Sequence, residues 1–473
     1  MYKKIILISS FVCLFIGFKS IAQTVKTNLY VTLTPCDSLH FHACSGSHIA
    51  DVTQEFILEK HTTDTLFLKL DKYNWLQSFA YPQHFLKLTV DIISKNKKQS
   101  VKPSFDGINL SIPLPVSSCT VKLNYFYNSD YTIRSMNSHA PHYVWPCEQF
   151  NSSWYFTCSD MQIDKVEFNN PYDSLLYLFV DAPTYRRNGK IILDMKQINK
   201  ENINFYLFEK PFFSKTTCIE DANTINIYLD RGQIWIPTPD AFWNNIILPG
   251  NRATQALEDS CKFFISNALK KIKTIFPPIQ GVVIDIFDAD LSVNENTIAW
   301  GTAASDDNNK HHMVLIDTSM WRDHSLIHEL IHLYNPIPYS KDDSTYYFFA
   351  ESITEYLAVC FRYEDKQKRD LVFNQKIIYF AREPNDDYSI FKLSSNTRGG
   401  NTGRGSAIVV YDKTPFILHT LAQMIGEDKF YAVLKQFYAK VAEGMAINLP
   451  NFEQLLKENG LTDKQWDWFM RSL

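Results

Sequence analysis

Hydrophobic and polar positions follow two different rhythms along the chain. From about residue 24 to 240, short runs of aromatic and β-branched residues alternate with clusters of turn formers, as at 28–33, 65–70, 85–93, 120–127, 175–180, 203–208 and 224–229. Regular spacing of such runs, without helices between them, predicts strands arranged as a sandwich or an irregular antiparallel sheet. Near residue 241 the rhythm changes. Apolar residues over 252–276 recur at helical spacing through Ala256, Phe263, Phe264, Ala268 and Ile272, and Pro277 and Pro278 stop that helix. A buried strand is predicted at 282–287 and another at 313–316, with His311 and His312 opening it as an edge strand. Beyond residue 320 the pattern is mainly helical, including 321–334, 346–361, 415–424, 428–441 and 452–458. The expected architecture is an α+β multidomain chain. It has a β-sandwich-like region at 23–240, a mixed α/β unit at 241–362 and a helical unit at 363–473.

Composition narrows this picture. The chain has 473 residues, 45% hydrophobic and 21% charged, which marks a folded globular protein. A net charge of −4 without any Lys/Arg run gives no support to nucleic-acid binding or polybasic membrane attachment. At the N-terminus, Lys3 and Lys4 precede an apolar run over 5–18, followed by Ser20-Ile21-Ala22 and Gln23. This is the layout of a secretory signal peptide, residues 1–22, cleaved after Ala22. The run is too short to span a bilayer comfortably, and no later segment reads as transmembrane. Export to the periplasm or the exterior is therefore expected. Cys13 would leave with the signal; of the eight cysteines that remain, Cys36 with Cys44 and Cys147 with Cys158 are plausible local disulfides. No Cys-x-x-Cys pair offers a thiolate metal site.

The candidate chemistry lies in His328-Glu329-Leu330-Ile331-His332, inside the helix predicted at 321–334. Two histidines at i and i+4 project from one helix face about a turn apart, so both imidazoles can reach one tetrahedral ion. Glu329 stands about 100° round the helix from His328, where its carboxylate reaches a water on the metal without binding the metal itself. Leu326, Ile327, Leu330, Ile331 and Leu333 make the helix apolar nearly all round, so these polar groups are buried and need partners. A second apolar helix, 346–361, carries Glu351 and Glu355 at i and i+4. Two carboxylates on one buried face repel each other, a cost that a dication offsets. Glu351 is the expected third ligand. Glu355 is the expected acceptor for the free ring nitrogen of a ligand histidine. One Zn²⁺ per chain, held by His₂Glu with a position left open, is the expected cofactor.

With these residues in view, the chain resembles the gluzincin peptidases of the aminopeptidase N family. The spacing from His328-Glu329-x-x-His332 to Glu351 is similar to theirs, and Phe349-Ala350-Glu351-Ser352-Ile353-Thr354-Glu355-Tyr356 resembles their Asn-Glu-Gly-Phe-Ala-x-Tyr stretch. Glu351-x-x-x-Glu355 is also similar to thermolysin, and His332-Leu333-Tyr334-Asn335 to the glycyl aminopeptidase branch. Tyr411-Asp412-Lys413-Thr414-Pro415-Phe416 resembles the family's Tyr-x-Lys-Gly segment, which implies that Tyr411 stabilises the oxyanion of the tetrahedral intermediate. The resemblance covers roughly residues 245–473. It implies a thermolysin-like catalytic unit, a peptide or protein substrate, and Glu329 as the general base. One departure stands out. The family's Gly-x-Met-Glu-Asn loop grips the substrate α-amine through its Glu, whereas Ile298-Ala299-Trp300-Gly301-Thr302-Ala303-Ala304 contains none. The expected activity is therefore a zinc peptidase, foremost an aminopeptidase. A zinc endopeptidase of unusual specificity and a non-catalytic binding protein with a structural zinc remain the alternatives.

Overall fold

The fold is described from a computed structural model. The described residues run from Val25 to Leu473, apart from 34–40, 43–49, 60–62, 70–84, 128–142, 145–153, 196–202, 238–243, 290–300, 306–309, 318–323, 336–344, 383–388, 393–406 and some shorter gaps. The expected signal peptide, Cys36, Cys44 and Cys147 lie outside them. Cys119, Cys158, Cys218, Cys261 and Cys360 form no disulfide with one another.

The N-terminal half is built from strands, as its short aromatic and β-branched runs predict. Eight of them are β1 (Val25–Leu33), β2 (Ala50–Leu58), β3 (Phe85–Ser94), β4 (Lys97–Val101), β5 (Cys119–Tyr127), β6 (Met161–Asn169), β7 (Thr184–Arg187) and β8 (Lys190–Leu193). They form one sheet in the order β7-β8-β6-β1-β2-β5-β3-β4, with β1 and β6 parallel. Along β1 and β2 buried residues alternate with more exposed ones, so each strand has one core face. A three-stranded sheet, Thr65–Lys69 with Asn109–Pro113 and Ser104–Phe105, adds Leu66, Leu68, Leu110 and Ile112 to the same core as Leu29 and Val31. Two sheets sharing one core is sandwich packing.

A second core belongs to a five-stranded sheet and the helices on it. Its strands are β9 (Phe213–Glu220), β10 (Asn223–Asp230), β11 (Val283–Ala289), β12 (Gly301–Ser305) and β13 (His311–Asp317), in the order β9-β10-β11-β13-β12. Strands β10, β11 and β13 are parallel, while β9 and β12 run antiparallel to their neighbours. Two expectations need correction here. The boundary drawn at residue 240 assigned 213–230 to the β region. Yet β10 pairs with β11, and Ile225, Ile227 and Leu229 lie in the core shared with the helices. Strand 311–317 is also not an edge: β12 covers it, and His312 is buried. Alternation along a strand shows which side chains share a face, but not which strand lies beside it.

Helix α1 (Gln255–Ile275) starts at Thr254, whose hydroxyl accepts from the Leu257 amide. Its buried stripe is Cys261, Ile265, Ala268, Leu269 and Ile272, whereas Ala256 and Phe263, expected on that stripe, face outward. The helical region continues with α2 (Ser325–Tyr334), α3 (Ile353–Arg362), α4 (Lys366–Arg382), α5 (Thr414–Ile425), α6 (Glu427–Ala442), α7 (Leu449–Glu458) and α8 (Asp463–Ser472). Among the described residues no helix is long and apolar enough to cross a membrane.

Candidate metal centre

Helices α2 and α3 meet with their polar residues turned toward each other. Their outer surfaces are buried by Leu326, Leu330, Ile331, Ile353, Leu357 and Phe349, so most of the polar side chains must find partners in the protein. Asn335, just past the end of α2, ties the two together: its amide donates to Phe349 O at 3.3 Å and reaches Thr354 Oγ1 at 3.4 Å. The segment before α3, Tyr347–Ser352, is wound as a π-helix, and so is Val409–Lys413 before α5. One wide turn carries Glu351 and the other carries Tyr411, and Ser352 Oγ links them by donating to Val410 O at 2.8 Å. Such turns insert one extra residue and re-aim the side chains that follow.

His328, His332 and Glu351 converge. The two Nε2 atoms are 3.0 Å apart, and Glu351 Oε2 lies 3.5 Å from each. Zinc bonds of 2.0–2.2 Å in tetrahedral geometry separate ligand atoms by about 3.3–3.6 Å; the two imidazole–carboxylate edges match this, and the imidazole–imidazole edge is about 0.3 Å shorter, so the triangle has the size of such a site. Among the described residues it is the one cluster of this kind. The electrostatics agree. Burial alone would depress His328, but hydrogen bonding to Glu351 and Glu355 pushes it up to about 10. Burial opposes ionisation of Glu351, yet His332 and His328 hold its carboxyl well below the usual range. Imidazole and carboxylate thus compensate each other at the centre of the cluster, a place where a dication would also be balanced.

The remaining predicted residues surround this triangle. Glu355 Oε2 accepts from His328 Nδ1 at 2.9 Å, fixing the ring so that Nε2 faces Glu351. Tyr411 donates its hydroxyl to Glu351 Oε2 at 2.9 Å. Glu329 is half-buried, and burial pushes its carboxyl above the usual range despite the pull of His332 and His328. A raised carboxyl is suited to accepting a proton.

Two participants were missed from sequence. His324 Nε2 lies 2.8 Å from Glu355 Oε1, and Lys376 Nζ donates to the same oxygen at 2.7 Å. Burial would raise Glu355, but Lys376 and His324 together hold it well below the usual carboxylate range. A signal for His324 existed, since it precedes His328 by four residues and repeats the i, i+4 spacing. Lys376 carried none, because α4 is polar along most of its length.

No family model matches the chain, and no curated protein matches it by sequence. Solved structures do match. An aminopeptidase N family protein from Idiomarina loihiensis aligns with TM-score 0.53 at 12% identity, covering 89% of this chain and 71% of that one. The M1 zinc metallopeptidase from Deinococcus radiodurans gives TM-score 0.47 at 11% identity over 95% and 93%, respectively. Yeast LTA4 hydrolase gives 0.47 at 12% over 95% and 66%. At such identities a likeness speaks for the fold alone: the chain shares the fold of that aminopeptidase N family protein.

Proposed function

We propose that this chain is a zinc-dependent peptidase, foremost an aminopeptidase, with one Zn²⁺ held by His328, His332 and Glu351. The observation that carries this reading is the triangle of two imidazole nitrogens and one carboxylate oxygen at 3.0 and 3.5 Å. Zinc bound there would supply a Lewis acid for the scissile carbonyl and a water of lowered pKa. The protein's own residues do the rest. Glu329 takes the proton from the attacking water and delivers it to the leaving amine. Tyr411, close to Glu351, donates its hydroxyl to the oxyanion that develops on the substrate carbonyl. Glu355 holds the His328 ring in the tautomer that leaves Nε2 for the metal.

The proposed organisation has a signal peptide at 1–22, a β-sandwich-like region up to about residue 212, a thermolysin-like catalytic unit from there to 362, and a helical unit at 363–473. The Lys3-Lys4 pair and the apolar run after it support export. The test is hydrolysis of aminoacyl-coumarin amides and of N-blocked peptides, with and without chelator. Cleavage of free aminoacyl amides, abolished by chelator and restored by zinc, is the expected result. Cleavage of blocked peptides alone would move the assignment to an endopeptidase, the reading that the absent loop glutamate favours. Stoichiometric zinc without turnover of either class would overturn the peptidase reading.

A further inference from the structure

Helix α4 presents a mostly solvated surface, with Leu371, Ile378 and Tyr379 exposed. Lys376 departs from that pattern, since its side chain is only 13% exposed and points into the protein. Burying an ammonium is costly unless its donors are used, and a lysine on an otherwise wet helix has water within easy reach. Two hydrogen bonds and one further carboxylate surround this ammonium. Nζ reaches Glu355 Oε1 at 2.7 Å, the Tyr411 carbonyl at 3.0 Å and Asp412 Oδ1 at 3.6 Å.

These three partners lie on two different elements. Glu355 is on α3, and its other oxygen holds His328 Nδ1. Tyr411 and Asp412 are in the π-helical turn 409–413, which approaches α3 through the Ser352–Val410 hydrogen bond. Tyr411 is thus gripped at both ends, by Glu351 at its hydroxyl and by Lys376 at its carbonyl. A continuous path runs from the Tyr411 carbonyl through Lys376 and Glu355 to His328.

We propose that Lys376 is a positioning residue that sets the ligand ring of His328 and the hydroxyl of Tyr411 in one mutual geometry, an inference that rests on the zinc peptidase reading above. Its ammonium balances Glu355, so the carboxylate can be buried and still accept from His328. The same ammonium anchors the main chain at Tyr411. A residue with a merely structural role would affect stability. A residue in this position also affects metal affinity and the turnover of a fully loaded protein.

The experiment compares the full chain with Lys376→Met, Lys376→Gln and Lys376→Arg. Zinc affinity is read by competition with a chromophoric chelator, and kcat and KM at saturating zinc. Met and Gln are expected to weaken zinc binding by about 10–100-fold, as losses behind a ligand histidine generally do. At saturating zinc, kcat is expected to fall by a further factor of roughly ten with KM nearly constant, because Tyr411 acts in the transition state. Arg should recover much of the zinc affinity, since it keeps the charge beside Glu355. In a Tyr411→Phe background the additional loss of kcat should largely vanish, because the group being positioned is gone. Folded Met or Gln variants with wild-type zinc affinity and kcat would overturn the proposal, as would a kcat loss undiminished by Tyr411→Phe. Gln keeps a donor toward Glu355 and serves if Met fails to fold. The two readings fail separately. A wild-type protein that binds zinc without cleaving peptides defeats the peptidase assignment, while the chelator competition still decides the role of Lys376.

Discussion

Both halves of the molecule bury carboxylates, but they treat them in opposite ways. In the β half, Glu167 is paired with Lys165 and Lys190, and Asp91 with Ser100 and Lys98. Each acid has its own partners, and the two sites share none. In the helical half, Glu351 and Glu355 stand one turn apart and draw on His324, His328, His332, Tyr411 and Lys376. The same kind of group is balanced locally in one half and drawn to a common centre in the other. Burial of charge alone therefore marks structure, whereas convergence of buried charges from separate elements marks a site.

The sharpest way to break this contrast is to alter one group on each side and ask which property moves. Glu329→Gln is expected to lower kcat by about a thousandfold or more while zinc stays bound, because the amide cannot take the proton. Activity assays alongside metal analysis check this, and near-normal turnover in a zinc-loaded variant would remove Glu329 as the base. Tyr411→Phe should cost less, about a hundredfold in kcat, since it removes one donor to the oxyanion and leaves the base in place. An effect confined to KM would assign Tyr411 to substrate binding instead.

In the β half, the matching change is Gln54→Leu. Gln54 is fully buried, and its amide closes a ring on one residue of a distant segment: Nε2 donates to Phe156 O at 2.7 Å, and Oε1 accepts from Phe156 N at 2.9 Å. Leucine fills the space but leaves both main-chain groups unpaired, a loss of roughly 2 kcal/mol of stability. Thermal melting should show the drop while kcat/KM at 25 °C stays unchanged. A fall in kcat/KM without a fall in melting temperature would mean that the β half takes part in the chemistry.

The same contrast explains what could be read in advance. The i, i+4 histidines and the acid pair Glu351 and Glu355 were legible because each pattern lies within one helix, where spacing determines which side chains share a face. Tyr411 was legible only through the family resemblance, since sixty residues separate it from Glu351 and no periodicity connects them. Lys376 was not legible at all, because it meets Glu355 through the packing of α4 against α3. The boundary at 240 and the edge position of His311 and His312 failed for a related reason. Strand neighbours are set by long-range pairing, and a hairpin such as 213–230 has the same local pattern in whichever sheet it joins. The π-helical turns were also missed. Nothing in the local apolar spacing of 347–352 or 409–413 distinguishes a π turn from an α turn.

The smallest expected effect gives the finest test of the contrast. Glu167 has a side chain only 10% exposed, and hydrogen bonds from Lys165 and Lys190 hold its carboxyl below the usual range against the effect of burial. Both lysines are themselves well exposed, which limits the gain to under about 1 kcal/mol. The sign follows from linkage. A carboxyl whose pKa is lower in the folded state stabilises fully above its unfolded value of about 4.3, and that contribution is lost as pH falls through the lower folded value. Melting temperatures of the wild type and Glu167→Gln should therefore differ by a small, constant gap from neutral pH down to about 5, and the gap should close in stronger acid. Effects of acid on the rest of the chain are common to both proteins and cancel in the difference. A gap that widens below pH 4 would mean that Glu167 is favoured in its protonated form. Its burial would then need the kind of explanation reserved here for Glu329.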